Sequence, residues 1–256
     1  MPLSTQQIKF IKALMQKKQR QENKLFVAEG PKVVGDFMRQ RFPIQSLYAT
    51  ATYISENENL LKTQTFPVTE ISEKELDRIS TLTTPNKVLA LCHIPEYEIN
   101  EQEILNRWSL ALDGINDPGN MGTIIRMAHW FNIRYAFCSP DCVEAYNPKT
   151  VQAAMGSLAA VKVIYTPMDA LLNRMAGKIP IFGTFLNGQN CYDVDAGKNG
   201  LLVFGSETHG ISPKVASCID RRISIPPAEG QIPPDSLNAA VSCGIILAEW
   251  HRRNRL

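Results

Sequence analysis

From Ser109 to the C-terminus the chain repeats one pattern: a short, almost unbroken apolar run, a polar turn, then a segment of helical periodicity. The apolar runs are SLALDGI (109–115), YAFCSP (135–140), AAVKVIYT (159–166), IPIFGTFL (179–186) and GLLVFGSE (200–207). Helical segments sit between or after them at 147–157, 168–177 and 236–256, and RRISIPP (221–227) reads as a last strand. A strand with one wet face alternates apolar and polar side chains, whereas a strand covered on both faces does not. The pattern therefore predicts an α/β fold with a mostly parallel sheet, flanked by helices.

The N-terminal part reads differently. Residues 4–21 form one amphipathic helical pattern through Ile8, Ile11 and Leu14 or Met15, and LFVAEG (25–30) is a short apolar run. A helix over 31–40, strands over 46–50, 65–70 and 87–94, and a helix over 71–80 capped by Ser72 complete a small α/β unit. The polar stretch 95–107 reads as a linker with room for a short helix. Three parts result: a basic unit over 1–95, a linker over 96–107 and a larger unit over 108–256. At 256 residues, one or two domains are expected.

Composition excludes several classes. No apolar run reaches the roughly 20 residues of a membrane-spanning helix, and MPLSTQQIKFIKAL has no apolar signal core, so a cytoplasmic location is expected. The six cysteines contain no CxxC pair, and no pair of histidines near Cys138 and Cys142 completes a zinc pattern. Buried free thiols and no metal are expected. The net charge of +2 is unevenly spread: residues 1–41 carry nine Lys/Arg against three acids. Such a face suits RNA phosphates as well as a solvated helix surface.

In open α/β sheets, ligands bind beyond the carboxyl ends of the strands. Three loops there are unusual. DGINDPGNMG (113–122) packs two aspartates, two asparagines, three glycines and a proline before a helix carrying Arg126. It has neither the GK[ST] of a phosphate-binding loop nor GxGxxG, and Ile115 and Pro118 break a calcium-loop pattern. Its remaining reading is an anion site at a helix N-terminus, with Arg126 near the same end. GSETHG (205–210) sets Glu207 among glycines, where it can anchor an asparagine or arginine. IPPAEGQIPPDSLN (225–238) is stiffened by proline, and Ser236 suits the cap of the closing helix.

Taken together and in this order, the three loops resemble the SpoU/TrmH branch of the SPOUT RNA methyltransferases. Asp117-Pro118-Gly119-Asn120-Met121-Gly122 with Arg126 and Ala128 matches that family's first motif. Gly205-Ser206-Glu207 with Gly210 matches its second, and Ile225-Pro226 with Ser236-Leu237-Asn238 its third. Phe26-Val27-Ala28-Glu29-Gly30 looks like part of the family's small, ribosomal-protein-like substrate-binding domain. Two features depart from the pattern. Ile225 and Leu237 stand 12 positions apart across the proline-rich insert 227–235, more than is usual in the family, and Gln152 and Ala154 stand where many relatives carry an arginine and a serine or threonine.

The resemblance implies a C-terminal trefoil knot and a homodimer whose active site is completed across the interface. It implies S-adenosylmethionine held largely by backbone groups around Thr184, Gly205, Ile225 and Leu237. It implies transfer of a methyl group to a ribose 2′-hydroxyl of a transfer or ribosomal RNA. Arg126 would activate the hydroxyl, Asn120 and Asn238 would orient the ribose or loops, Glu207 would hold them, and Ser236 would contact RNA or cap its helix. Lys9, Lys12, Lys17, Lys18 and Arg20 would grip phosphates. The rival readings are a non-catalytic RNA-binding protein on the same fold and a SPOUT enzyme that methylates the base; the full set of motif residues argues against the first, and Arg126 with Ser236-Leu237-Asn238 against the second.

Overall fold

A computed structural model of the chain describes residues 3–228, 230 and 235–254. The chain divides into two compact units: one holds the chain up to Glu96 with Glu144–Ala160, the other Tyr97–Val143 with the chain from Val161 onward.

The first unit begins with helices α1 (Thr5–Ala13) and α2 (Lys17–Asn23), then β1 (Leu25–Glu29), α3 (Pro31–Arg39), β2 (Ile44–Ala49), α4 (Ala51–Glu56), α5 (Glu58–Leu61), β3 (Val68–Glu70), α6 (Glu73–Ile79) and β4 (Val88–His93). Its sheet runs in the order β1-β4-β2-β3, with only the β2–β3 pair parallel. Short helices α4 and α5 lie between the strands expected over 46–50 and 65–70, where no element was expected. Thr50 caps α4 by accepting the Tyr53 N–H. The single helix expected over 4–21 is two helices broken at Leu14–Gln16. The reason is Arg20, whose Nη1 donates to the carbonyls of Leu14 (2.9 Å) and Met15 (2.8 Å) at the end of α1. Both carbonyls lie just past the last residue of α1, where no helical N–H remains to meet them.

The second unit opens with α7 (Glu101–Asn106), inside the stretch expected to be a linker. It continues through β5 (Trp108–Asp113), α8 (Pro118–Trp130) and β6 (Tyr135–Cys138). The next helix, α9 (Pro148–Ala154), and the 3₁₀ turn Met155–Ala159 pack in the first unit, unlike the division expected at residue 108. Side chains explain the exchange. Glu144 pairs with Arg20, the Tyr146 ring lies 4.8 Å from Phe26, and a Cβ on Gly156 would fall 2.2 Å from the Asp36 side chain. The second unit then resumes with β7 (Lys162–Tyr165), α10 (Met168–Met175), β8 (Ile181–Asn190), β9 (Gly200–Gly205), α11 (Pro213–Ala216), β10 (Arg221–Ser224) and α12 (Ala239–Asn254).

Its six strands run in the order β10-β8-β9-β5-β6-β7, and every pair is parallel. The mostly parallel sheet expected from the apolar runs is thus wholly parallel. Strands β5, β6 and β9 are buried along nearly their whole length, which is why they carry no alternation. β8 departs from the ladder: Arg222 pairs with Gly183 but Ile223 pairs with Gln189, so residues 184–188 leave the sheet and return. A Cβ on Gly188 would lie within 2.8 Å of the Ile223 backbone, so the returning chain requires glycine there. Trp108, Phe182 and Trp250 pack together, with Trp250 donating to the Cys191 carbonyl; this anchors the far end of α12. All six cysteines are free; five are buried and Cys218 is half-buried. Among the described residues no helix is long and apolar enough to cross a membrane, and no cluster of His, Cys, Asp or Glu suits a metal ion.

Candidate functional site

Because β10, β8, β9 and β5 are parallel neighbours, their carboxyl ends share one edge of the sheet at roughly 4.8 Å spacing. The three unusual loops leave from that edge. This is the physical reason that side chains 31 to 118 residues apart in the chain meet in space.

The loop after β5 feeds α8, capped by Asp117, whose Oδ1 accepts the Asn120 N–H at 2.8 Å, with Pro118 in the first helical position. This corrects two expectations. The helix begins at Pro118, so Arg126 lies eight residues on, roughly 12 Å along the axis at 1.5 Å per residue. A carboxylate already occupies the helix N-terminus, so the first turn is not an open anion site. Arg126 is exposed and has no hydrogen-bond or ionic partner among the described residues. Met121, Gly122, Ile124, Ile125 and Ala128 are buried on the opposite faces of the helix.

Each of the three loops contributes one side chain to a shared network. The Asn120 Nδ2 donates to Glu207 Oε1. Asn238 Nδ2 donates to Asn120 Oδ1 at 2.9 Å and to Glu207 Oε1 at 3.3 Å. The Asn238 Oδ1 in turn accepts the N–H groups of Ala240 (3.0 Å) and Val241 (3.2 Å). Asn238, and not Ser236, therefore caps α12. Ser236 is exposed and makes no hydrogen bond among the described residues.

The Glu207 loop is tied at its base. Ser206 and Gly210 exchange both backbone hydrogen bonds, at 3.0 and 2.8 Å, and the Ser206 hydroxyl accepts the His209 N–H. A Cβ on Gly205 would lie 2.1 Å from the Gly210 carbonyl carbon, so only glycine fits there. Thr184 donates its hydroxyl to the Val203 carbonyl at 3.2 Å. Ile225 and Leu237 use neither backbone N–H nor C=O in hydrogen bonds among the described residues. Leu186 is 74 % and Leu237 45 % exposed. The centre of the proline-rich insert, 229 and 231–234, lies outside the described residues.

Of the proposed phosphate-binding residues, Lys9, Lys12, Lys17 and Lys18 are exposed on α1 and α2, and Lys18 pairs loosely with Glu22 at 3.8 Å. Arg20 is not among them. Its side chain is 2 % exposed, and its Nε and Nη2 meet both Glu144 oxygens at 3.0 and 2.6 Å. Periodicity could not show this, since Arg20 sits in a basic run and its partner is 124 residues away. Gln152 and Ala154 lie on α9, Ala154 buried.

Sequence reasoning passed over the residues that brace the first loop. Asp113 Oδ2 accepts the Ser212 N–H at 2.7 Å, Ser139 Oγ accepts the Gly114 N–H at 2.9 Å, and the Cys142 sulfur accepts the Ile115 N–H at 3.3 Å. Hydrogen bonds to Cys142, first from the Cys138 thiol and then from Ser139 and the loop backbone, outweigh its burial and draw its thiol down to about 7. The available signal was an acid closing an otherwise apolar strand.

The SpoU rRNA Methylase family model matches residues 107–248, and the MRM3-like substrate binding domain model matches residues 5–90. The 23S rRNA (guanosine(2553)-2'-O)-methyltransferase RlmP of Bacillus subtilis is 25% identical over 250 residues, spanning 97% of this chain and 96% of that protein. A TrmH-family RNA methyltransferase candidate from Porphyromonas gingivalis superposes with a TM-score of 0.87 at 35% identity, covering 98% of this chain and 99% of the other. An AdoMet-bound rRNA methyltransferase from Sinorhizobium meliloti superposes at 0.85 with 27% identity, covering 99% and 98%. The motif residues met at one sheet edge, the parallel α/β fold and the family match over more than half its length agree: this chain belongs to the SpoU rRNA methylase family and is an RNA methyltransferase.

Proposed function

We propose that the protein transfers a methyl group from S-adenosylmethionine to a ribose 2′-hydroxyl of ribosomal RNA, acting in the cytoplasm as a homodimer. The observation that carries this reading is the Asn120–Glu207–Asn238 network, one residue from each loop at the carboxyl edge of the parallel sheet. The cofactor suits the residues present. Unused backbone groups at Ile225 and Leu237, with the exposed apolar side chains of Leu186 and Leu237, offer polar and apolar contacts to a nucleoside. Thr184, Gly205, Ile225 and Leu237 would hold it, with the C-terminal segment threaded as a trefoil knot. Bound there, the cofactor supplies an electrophilic methyl group.

The chain's own residues supply the rest. A ribose hydroxyl is a weak nucleophile that loses its proton as it attacks. Arg126 keeps its proton in any protein environment, so it acts by stabilising the forming alkoxide and by gripping the adjacent RNA phosphate, whose oxygen takes the hydroxyl proton. Its exposure, with no partner among the described residues, suits a group that waits for substrate. Asn120 and Asn238 orient the ribose, Glu207 fixes both amides, and Ser236, free of any capping duty, contacts RNA. Lys9, Lys12, Lys17 and Lys18 grip phosphates. Trp130 and Val241, exposed on the packed helices α8 and α12, offer apolar surface to a second copy.

The test is transfer of labelled methyl to size-fractionated RNA from cells lacking the protein, with Arg126→Ala alongside. Label in ribosomal RNA that survives alkali as a dinucleotide, and is lost in the variant, is the expected result. Label released as a modified base, or none with any RNA, overturns the reading.

A further inference from the structure

Asp113 ends β5 and is only 6 % exposed, a costly place for a carboxylate. Its Oδ2 accepts the Ser212 N–H at 2.7 Å. Ser212 closes the loop that begins at Gly205, and Gly205 is the residue paired opposite Asp113 in the β5–β9 ladder. The loop is therefore held at three places: the ladder at Gly205, the Ser206–Gly210 exchange, and the Asp113 carboxylate at Ser212. Glu207 stands inside this loop, and Asn120 stands seven residues beyond Asp113. One buried side chain thus joins the strand leading to Asn120 with the loop carrying Glu207.

We propose that Asp113 is a positioning residue for methyl transfer. It fixes the loop of Glu207 against the chain that enters α8, and so sets the geometry of the Asn120–Glu207–Asn238 network. The inference rests on the methyltransferase reading above. Asp113 touches neither substrate nor cofactor in this scheme; it acts through Glu207.

Two substitutions remove the same hydrogen bond from opposite sides. Asp113→Ala deletes the acceptor. Ser212→Pro deletes the donor at a residue whose φ is already −61°, and whose side chain makes no capping bond to α11. Asp113→Asn keeps an oxygen to accept the N–H. In the full-length protein, Asp113→Ala and Ser212→Pro are each expected to lower kcat by about 10–100-fold with KM for RNA changed less than about threefold, as a shift of order 1 Å in a reacting group does. Asp113→Asn is expected to recover most of the turnover. Adding Glu207→Gln to Asp113→Ala is expected to lower kcat by less than the product of the two single effects. The side-chain amide NMR resonances of Asn120 and Asn238 are expected to move in Asp113→Ala and Ser212→Pro. Lowered melting temperature with wild-type kcat in both variants would make Asp113 a structural strut only and overturn the proposal. A wild type that methylates no RNA sinks the functional reading instead; the amide resonances then still decide, with unmoved resonances overturning the inference and shifted ones supporting it.

Discussion

Arg20 separates a strut from a contact. Its guanidinium meets both oxygens of Glu144 and two carbonyls at the end of α1, and it is almost fully enclosed. Arg20→Met removes these bonds and leaves the Glu144 side chain, 12 % exposed, without its counter-charge. Breaking one side of a buried pair costs about 3–5 kcal/mol. At roughly 2–4 °C per kcal/mol for a chain of this size, the midpoint falls by ~6–20 °C. Replacing both partners, Arg20→Met with Glu144→Met, removes the stranded charge and is expected to regain most of that loss. A double-mutant cycle by denaturant unfolding is expected to give a coupling of at least about 3 kcal/mol. In parallel, RNA affinity is measured across salt concentrations. Lys12→Ala and Lys17→Ala are each expected to reduce the slope of log K against log salt by ~0.7–0.9, whereas Arg20→Met leaves it unchanged. An Arg20→Met protein with wild-type melting and a slope reduced by about one unit would refute the reasoning and return Arg20 to the RNA-binding face.

Three further outcomes follow from the same geometry. Gly205→Ala drives a Cβ into the Gly210 backbone, so calorimetry is expected to show ~1–3 kcal/mol of destabilisation and methyl transfer to fall at least ~10-fold; an active, stable variant would mean that the loop yields easily. Asn238→Ala loses the cap of α12 and is expected to cost ~0.5–2 kcal/mol, while Ser236→Ala stays within ~0.5 kcal/mol of wild type; the reverse ranking in urea melts would restore Ser236 as the cap. Glu75 is held at about 2 by the backbone N–H and hydroxyl of Ser72 and the N–H of Leu3, so its contribution is complete above its ordinary value of 4.5 and is lost as the pH falls from there through about 2. Glu75→Gln is expected to flatten that part of the acid-unfolding curve followed by far-ultraviolet circular dichroism.

The sequence by itself determined the parallel sheet, because strands buried on both faces must be apolar along their whole length. It also determined the three site loops, because glycine is demanded where backbone passes close to backbone, as at Gly205, and proline stiffens the chain between regular elements. What it could not contain is partnership across distance. Arg20 and Glu144, Asp113 and Ser212, and the assignment of 144–160 to the first unit each join segments about 100 residues apart or more. The cap of α12 belonged to the same class: Ser236 and Asn238 are both good capping residues, and the choice fell to Asn238 because the backbone leaves the loop so that its oxygen meets two N–H groups while its amide reaches Asn120 and Glu207. Local preference nominates residues; only the packed chain decides which of them is enclosed, which is shared and which is left free for substrate.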